Sequence, residues 1–401
     1  MKILVISQMF PCKRHPTSGI FFANLMKALA RLVDDLIIVT PRVYIPKCLT
    51  VVKKKWAKRR IDDMRTYKDR MEIVRPFVPF LPGVSSLGLN GILMEQTLRR
   101  LVKIYIDNKR VDLILGYNML PEGVAAMRLA KAFRLPVGFW CIGSDINDFA
   151  EHGIINRRLV KRAIIQSDLV LTESKDLENK VRRLVNRGDG VKTFYKGIDL
   201  SNFQDLPSRD VLCNQLGLDR NKNYLLFVGR LIYDKGIYEL AESFAMVTML
   251  YPRHELILVG EEIEKASLLK KFAALGVLER VHFRGIVPYN VVAYYMKLSD
   301  ILILPTWAEG LPNVVMEAMA IGLPVVATNV DGLPEILENR VTGLSVPPKN
   351  AGQLTKATIT LIEDDGLREN CIRNARELIL GQFDVKKNVA QLYDLLKTLQ
   401  V

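Results

Sequence analysis

The sequence has no uncharged apolar run of the roughly 18 residues that a membrane-crossing helix needs, so any bilayer contact is expected from the surface. Its opening, MKILVISQMF, begins with a charge and a short apolar stretch. Gln8 and the PCKRHP that follows end this stretch before a signal-peptide core could form, which leaves a buried first strand as the reading. Cysteine is sparse: Cys12, Cys48, Cys141, Cys213 and Cys371 are odd in number, far apart and without a CxxC pair, as suits a reducing, cytoplasmic setting. There is no low-complexity segment, no fixed-period repeat and no GxGxxG dinucleotide fingerprint. Nucleic-acid recognition motifs are absent as well, and the cations are scattered rather than interleaved with stacking aromatics, so no nucleic-acid partner is expected.

What is present is a globular composition, with 49% apolar and 25% charged residues over 401 positions, a length that points to two domains. The net charge of +14 is lopsided. Residues 1–200 hold 36 Lys and Arg against 19 Asp and Glu, whereas residues 201–401 hold 21 against 24. A basic first half fits an anionic partner such as a phospholipid surface, a nucleic acid or a diphosphate-bearing substrate; a solvated basic surface explains it equally well.

Short runs rich in Val, Ile and Leu alternate with helix-length amphipathic segments. KILVI, LIIVT, DLIL, PVGFWC, DLVLT and VKTFY lead the first series, and after a polar stretch near residues 200–222 come YLLFVG, HELILVG, VHFRG, DILILP, PVVAT and GLSV. This alternation predicts an α/β protein of two doubly wound, Rossmann-like parallel-sheet domains, residues 1–200 and 201–383. The segment 384–401, with Val389, Leu392, Leu395 and Leu396 at helical spacing, is expected to pack back on one of them, and the sheets are expected to face each other across a cleft.

In open parallel sheets ligands bind beyond the carboxyl ends of the strands, so the loops that follow strands carry the functional expectations. After KILVI, Ser18 and Gly19 precede a helix whose first N–H groups could face an anion; a glycine starting a helix has a purely structural use too. After YLLFVG, Arg230 and Lys235 flank a loop into a helix, and two cations there suit the two phosphates of a diphosphate. Asp145, in WCIGSDIND, can either cap the next helix or face the cleft and accept a hydrogen bond from a hydroxyl. The fourth loop, AEGLPNVVMEAMAIG, places Glu309 before a helix that Pro312 or Asn313 begins and Gly322 ends, with Glu317 inside it. Gly310 lets backbone approach a ligand, and the N–H groups near Leu311, Asn313 and Val314 form an anion pocket. A carboxylate accepts from two neighbouring hydroxyls, so one glutamate for each diol of a nucleoside diphosphate sugar accounts for the pair; a loop acid and a first-turn acid favoured by the helix dipole account for it as well.

The run from Glu309 to Glu317 resembles the nucleotide-sugar signature of family 4 retaining glycosyltransferases, which have the two-domain B-type fold. FVGRLIYDKG resembles that family's phosphate-binding strand and loop. HPTSGIFFANLMKALA, LPEGVAAMRLAKAFRLPV, GSDIND and YKGIDLSNF resemble its first-domain and linker segments, most closely those of bacterial enzymes of surface polysaccharide assembly, the teichuronic-acid type among them. The resemblance implies that Glu309 contacts donor-sugar hydroxyls, Glu317 the ribose, Arg230 and Lys235 the diphosphate, and Gly19 the phosphates through its N–H, with residues 1–200 binding the acceptor, 201–383 the donor, and the helix 384–401 crossing back to the first domain. A UDP-sugar is the expected co-substrate, with no metal or other cofactor required.

Three histidines of many relatives are missing: Leu115 and Tyr117 stand where they carry a His-x-His, and Ile142 stands where another precedes Gly-Ser-Asp. Asp145 and Glu122 are then the carboxylates nearest in sequence to the acceptor side. The expected acceptor is a saccharide or a lipid-linked one. VVKKKWAKRR (51–60) and FVPFLPG (77–83) could rest on the anionic inner leaflet of the cytoplasmic membrane, and a solvated loop is the plainer alternative. A sugar-nucleotide epimerase of the same fold and, more remotely, a basic nucleic-acid-binding protein are the competing functions.

Overall fold

A parallel strand with helices on both sides buries both faces, which is why the strands here are continuous runs of Val, Ile and Leu rather than alternating ones. A computed structural model describes residues 1–12, 19–44, 64–81, 83–143, 146, 153–186 and 189–399. It divides into two units, Met1–Lys196 with Val385–Val401, and Gly197–Asp384.

The first unit holds an eight-stranded sheet in the order β10-β9-β8-β7-β1-β2-β5-β4. Its strands are β1 (Lys2–Ile6), β2 (Asp35–Val39), β4 (Arg65–Lys68), β5 (Met71–Val74), β7 (Leu113–Tyr117), β8 (Val137–Cys141), β9 (Leu169–Thr172) and β10 (Val191–Thr193). All pairings are parallel except β4 with β5. A separate parallel pair joins β3 (Arg42–Tyr44) to β6 (Phe77–Pro79).

Alternate residues serve opposite faces. Leu4 and Ile6 pack with helices α2 (Leu87–Asp107), α3 (Val124–Phe133), α4 (Ile154–Ile165) and α5 (Lys175–Val185), whereas Ile3 and Val5 pack with α1 (Ile20–Leu29). The C-terminal helix, Val385–Lys397, joins the α1 face through Val385, Val389, Leu392 and Leu396. Asn388 Nδ2 fixes it by donating to the Tyr195 carbonyl at 2.8 Å.

The second unit holds a six-stranded, wholly parallel sheet in the order β13-β12-β11-β14-β15-β16. The strands are β11 (Asn223–Val228), β12 (His254–Val259), β13 (Val281–Gly285), β14 (Ile301–Leu304), β15 (Val325–Thr328) and β16 (Leu344–Val346). Numbered within the unit this is 3-2-1-4-5-6, the doubly wound Rossmann order, with its topological switch between β11 and β14. The matching switch in the first unit lies between β1 and β7.

The division between units falls at Lys196 rather than at residue 200. Ile198 bridges Asp384, and its N–H donates to the Phe383 carbonyl at 2.8 Å, so the chain pairs with the second unit from Gly197 onward.

Candidate active site

The switch of the second unit gathers the loops that follow β11 and β14. Gly236 begins helix α7 (Ile237–Leu250; α6 is Arg209–Leu216) in the left-handed region, φ 67°, and a Cβ on it would lie 2.0 Å from the Pro305 carbonyl oxygen. Only glycine permits this backbone-to-backbone approach. The approach draws the two loops together: Trp307 N–H donates to the Asp234 carbonyl at 2.9 Å, and Lys235 Nζ reaches Thr306 Oγ1 at 3.4 Å and forms an ion pair with the Glu309 carboxylate. Lys235 and Glu309 are both largely shielded, so this pair is screened far less than a surface one. Asp331, beyond β15, orients the acid by accepting the Glu309 N–H through Oδ2 at 3.0 Å.

Helix α10 (Asn313–Ile321; α8 is Lys265–Ala274 and α9 Tyr289–Leu298) starts after Pro312 and stops at Gly322, whose φ of 86° suits a left-handed cap. The N–H groups of Asn313 and Val314, in its first turn, have no intrahelical acceptor and give this end a positive field. Asn313 Oδ1 is buried without a hydrogen-bond partner among the described residues. Glu317 lies one turn in, 3% exposed, and accepts the Tyr289 hydroxyl at 2.5 Å. Burial disfavours its charged form and pushes its carboxyl up to about 8, against which the Tyr289 hydrogen bond pulls down. The Tyr289 phenol is itself pushed well above its ordinary range, first by burial and then by the Glu317 charge.

Among the sequence-expected residues, Lys235 and Glu309 are thus brought into contact. Gly310, Leu311, Asn313 and Val314 line the start of α10, and Glu317 lies under it. Arg230 stands exposed at the end of β11 with no ion pair among the described residues. Tyr289, Asp331 and Thr306 carry no sequence signal of their own: a tyrosine after Pro288, an Asp-Gly turn and a threonine after a proline are all common.

In the first unit, Gly19 caps α1 with φ 66°, and a Cβ there would lie 2.3 Å from the Met9 carbonyl oxygen. Glu122, expected to bind substrate, is buried, and its Oε1 accepts the Gln8 N–H at 3.0 Å. It therefore ties the loop after β7 to the loop after β1 across that unit's switch. Tyr117, at one of the replaced histidine positions, is buried under Phe22, with ring centroids 3.8 Å apart. Its hydroxyl lies 3.2 Å from both Glu173 Oε1 and Lys196 Nζ, and the latter two form an ion pair of 2.7 Å. Burial disfavours the Lys196 ammonium most strongly of any single influence, but the Glu173 carboxylate and the Tyr117 hydroxyl together outweigh it and hold its pKa above lysine's ordinary value. Leu115 is buried too and Ile142 half-buried. Ser18, Asp145 and the basic segment 51–60 lie outside the described residues.

Residues 208–378 match the family model for glycosyl transferases group 1, which covers most of the second unit. Over 399 residues, 98% of this chain and 97% of the relative, the sequence is 26% identical to a Bacillus subtilis (strain 168) protein provisionally named the teichuronic acid biosynthesis glycosyltransferase TuaC. It is 27% identical, over 73% of this chain and 77% of the relative, to N-acetyl-alpha-D-glucosaminyl L-malate synthase of Bacillus anthracis. Among solved structures, sucrose-phosphate synthase from Thermosynechococcus elongatus superposes with a TM-score of 0.79 at 21% identity, covering 99% of this chain and 98% of that one. Anabaena Alr3699/HepE in complex with UDP-glucose does so with a TM-score of 0.74 at 22% identity, covering 99% and 100%. At such identities these two likenesses show the fold, which is the B-type one.

Proposed function

We propose that this glycosyltransferase, whose second unit is a group 1 domain, moves a hexose-type sugar from a UDP-sugar to a saccharide or lipid-linked acceptor in surface polysaccharide assembly, with retention at the anomeric carbon. The observation that carries the reading is the Lys235–Glu309 pair set at the switch of a 3-2-1-4-5-6 sheet beside the free amides of α10.

The chemistry follows from charge. As the bond between sugar and diphosphate breaks, negative charge grows on the leaving oxygen and the ring becomes oxocarbenium-like. Arg230, Lys235 and the first N–H groups of α10 supply the positive field that lowers this barrier. A phosphate beside Lys235 shares the ammonium with Glu309, whose second oxygen then accepts from donor-sugar hydroxyls, while Glu317 and Tyr289 serve the ribose. Attack from the face the diphosphate leaves lets its oxygen take the acceptor's proton, so no separate base is needed. The buried Tyr117 and the loop-tying Glu122 agree with that economy. The pathway named for the Bacillus subtilis relative and the UDP-glucose of the Anabaena complex support the substrate classes. A lipid-linked acceptor places the enzyme peripherally on the inner leaflet, and no described helix is long and apolar enough to cross a membrane.

The test is a thermal-shift screen of UDP- and GDP-sugars, followed by NMR of the product. A UDP-sugar at a hundred times its Kd stabilises by about 2.7 kcal/mol. Stabilisation by GDP-sugars alone overturns the nucleotide, an inverted anomer overturns retention, and a new sugar nucleotide formed without acceptor favours the epimerase.

A further inference from the structure

Five exposed apolar side chains of the first unit are not scattered: Leu81 (43% exposed), Val84 (40%), Leu89 (38%), Ile154 (71%) and Ile155 (51%). Two fully buried asparagines hold them together. Asn90 on α2 grips Leu81, accepting its N–H at 2.7 Å and donating to its carbonyl at 2.9 Å. Asn156 on α4 accepts the Gly88 N–H at 2.9 Å and donates to the Val84 carbonyl at 2.9 Å, so the 3-10 turn Val84–Ser86 and the first turns of α2 and α4 lie side by side. Gly88 permits the approach, since a Cβ there would meet Leu159 Cδ1 at 2.6 Å. Buried amides thus fix, rather than merely tolerate, aliphatic side chains that point to water.

Among the described residues the charge beside them has one sign. Helix α4, IINRRLVKRAII, carries Arg157, Arg158, Lys161 and Arg162 and no acid. The nearest carboxylate on α2, Glu95, is buried against Arg99 and Arg128. A rim with both signs would suit a protein partner, whereas aliphatic tips followed by a purely basic turn suit lipid: the chains enter the acyl boundary and the cations meet headgroup phosphates.

We propose that this face, Leu81, Val84, Leu89, Ile154 and Ile155 with Arg157 and Arg158 behind it, seats the first unit on an anionic bilayer. The inference deepens the reading of a lipid-linked acceptor, but it is tested without donor or acceptor, so its failure leaves the reaction untouched.

Full-length protein is floated with vesicles of phosphatidylglycerol and phosphatidylcholine, and with phosphatidylcholine alone. Wild type is expected to bind the anionic vesicles and not the neutral ones. Removing both isoleucines (I154Q/I155Q) is expected to weaken binding about tenfold or more. Removing both arginines (R157Q/R158Q) is expected to do so by about fivefold per cation. Unchanged melting temperature shows that the variants fold. A third variant, K53Q/K54Q/K55Q, tests the basic stretch outside the described residues and is expected to retain binding. The proposal is overturned if wild type ignores anionic vesicles, if both double variants bind as wild type does, or if only the lysine variant loses binding. It is overturned too if the isoleucines support a concentration-dependent dimer and no vesicle binding.

Discussion

Lys235 and Glu309 stand 74 positions apart in sequence, and each alone passes for an ordinary surface charge. Their contact could not be read from spacing, because it depends on Gly236 bringing two loops to backbone contact. We expect Glu309→Ala and Arg230→Ala each to lower the transfer rate by about a hundredfold or more with the melting temperature nearly unchanged, since both act on developing charge; wild-type turnover in both would refute the assignment. Glu317 gives a pH signature. Its folded pKa of about 8 lies above its ordinary 4.5, so the folded state holds this proton more tightly than the unfolded one. The resulting stability is fully present below about 4.5 and is lost as pH rises through about 8. Melting curves of wild type should therefore fall across that window by more than those of Glu317→Gln; parallel curves would show that Glu317 does not titrate there. The carboxylate's place in the helix was legible from Pro312 and Gly322. Its burial was not, because nothing local announces the Tyr289 hydroxyl that satisfies it.

The twelve strands expected from apolar runs all form, within a residue or two at their ends; the central ones are buried on both faces and carry no polar face, and the edge strands β10 (VKT) and β13 (VHFRG) are partly exposed exceptions. Strands β3 to β6, which no apolar run announces, fail that rule for identifiable reasons. β4 (RTYK) is a mostly exposed antiparallel edge, and β5 (MEIV) carries a glutamate. Glu72 is buried there: Tyr105 donates to it at 2.5 Å and Arg110 at 2.8 Å, and with Arg65 these outweigh burial and hold its carboxyl below the ordinary value. A buried carboxylate answered by three side chains from elsewhere reads locally as a break in the strand. At this scale the loop from β11 to α7 is the sensitive element. Gly236→Ala must place a Cβ against the Pro305 carbonyl in a left-handed backbone, at a cost of about 2–4 kcal/mol. We expect a lower melting temperature together with at least a tenfold loss of transfer, because Lys235 shifts with the loop. Gly217→Ala is the control: it also has positive φ, but its Cβ meets open space, so it should lose stability alone.

The whole molecule is discontinuous in one unit and continuous in the other. Residues 197–384 form an uninterrupted unit, whereas Met1–Lys196 needs the C-terminal helix to cover α1. Fully burying a Val or Leu is worth about 1.5–3 kcal/mol, and the helix buries Val385, Val389, Leu392 and Leu396. A chain ending at Asp384 should expose that face, lower the first unit's melting temperature and bind a hydrophobic dye, while still gaining stability from a UDP-sugar. If truncation leaves melting unchanged, the helix is dispensable. The lopsided charge, by contrast, was plain from composition, yet it did not distinguish the basic stretch at 51–60 from helix α4, whose asparagine-held aliphatic neighbours only the fold brings together.

The insertion of Gly197–Asp384, in sequence, between the two segments of the other unit also sets an order of events at the ribosome. The continuous unit is complete once its own stretch has left the exit tunnel, but the discontinuous one must wait, with its aliphatic flank bare, for the helix Val385–Lys397 to arrive. Any truncation that removes Val385–Lys397 would therefore damage the unit whose main segment is Met1–Lys196.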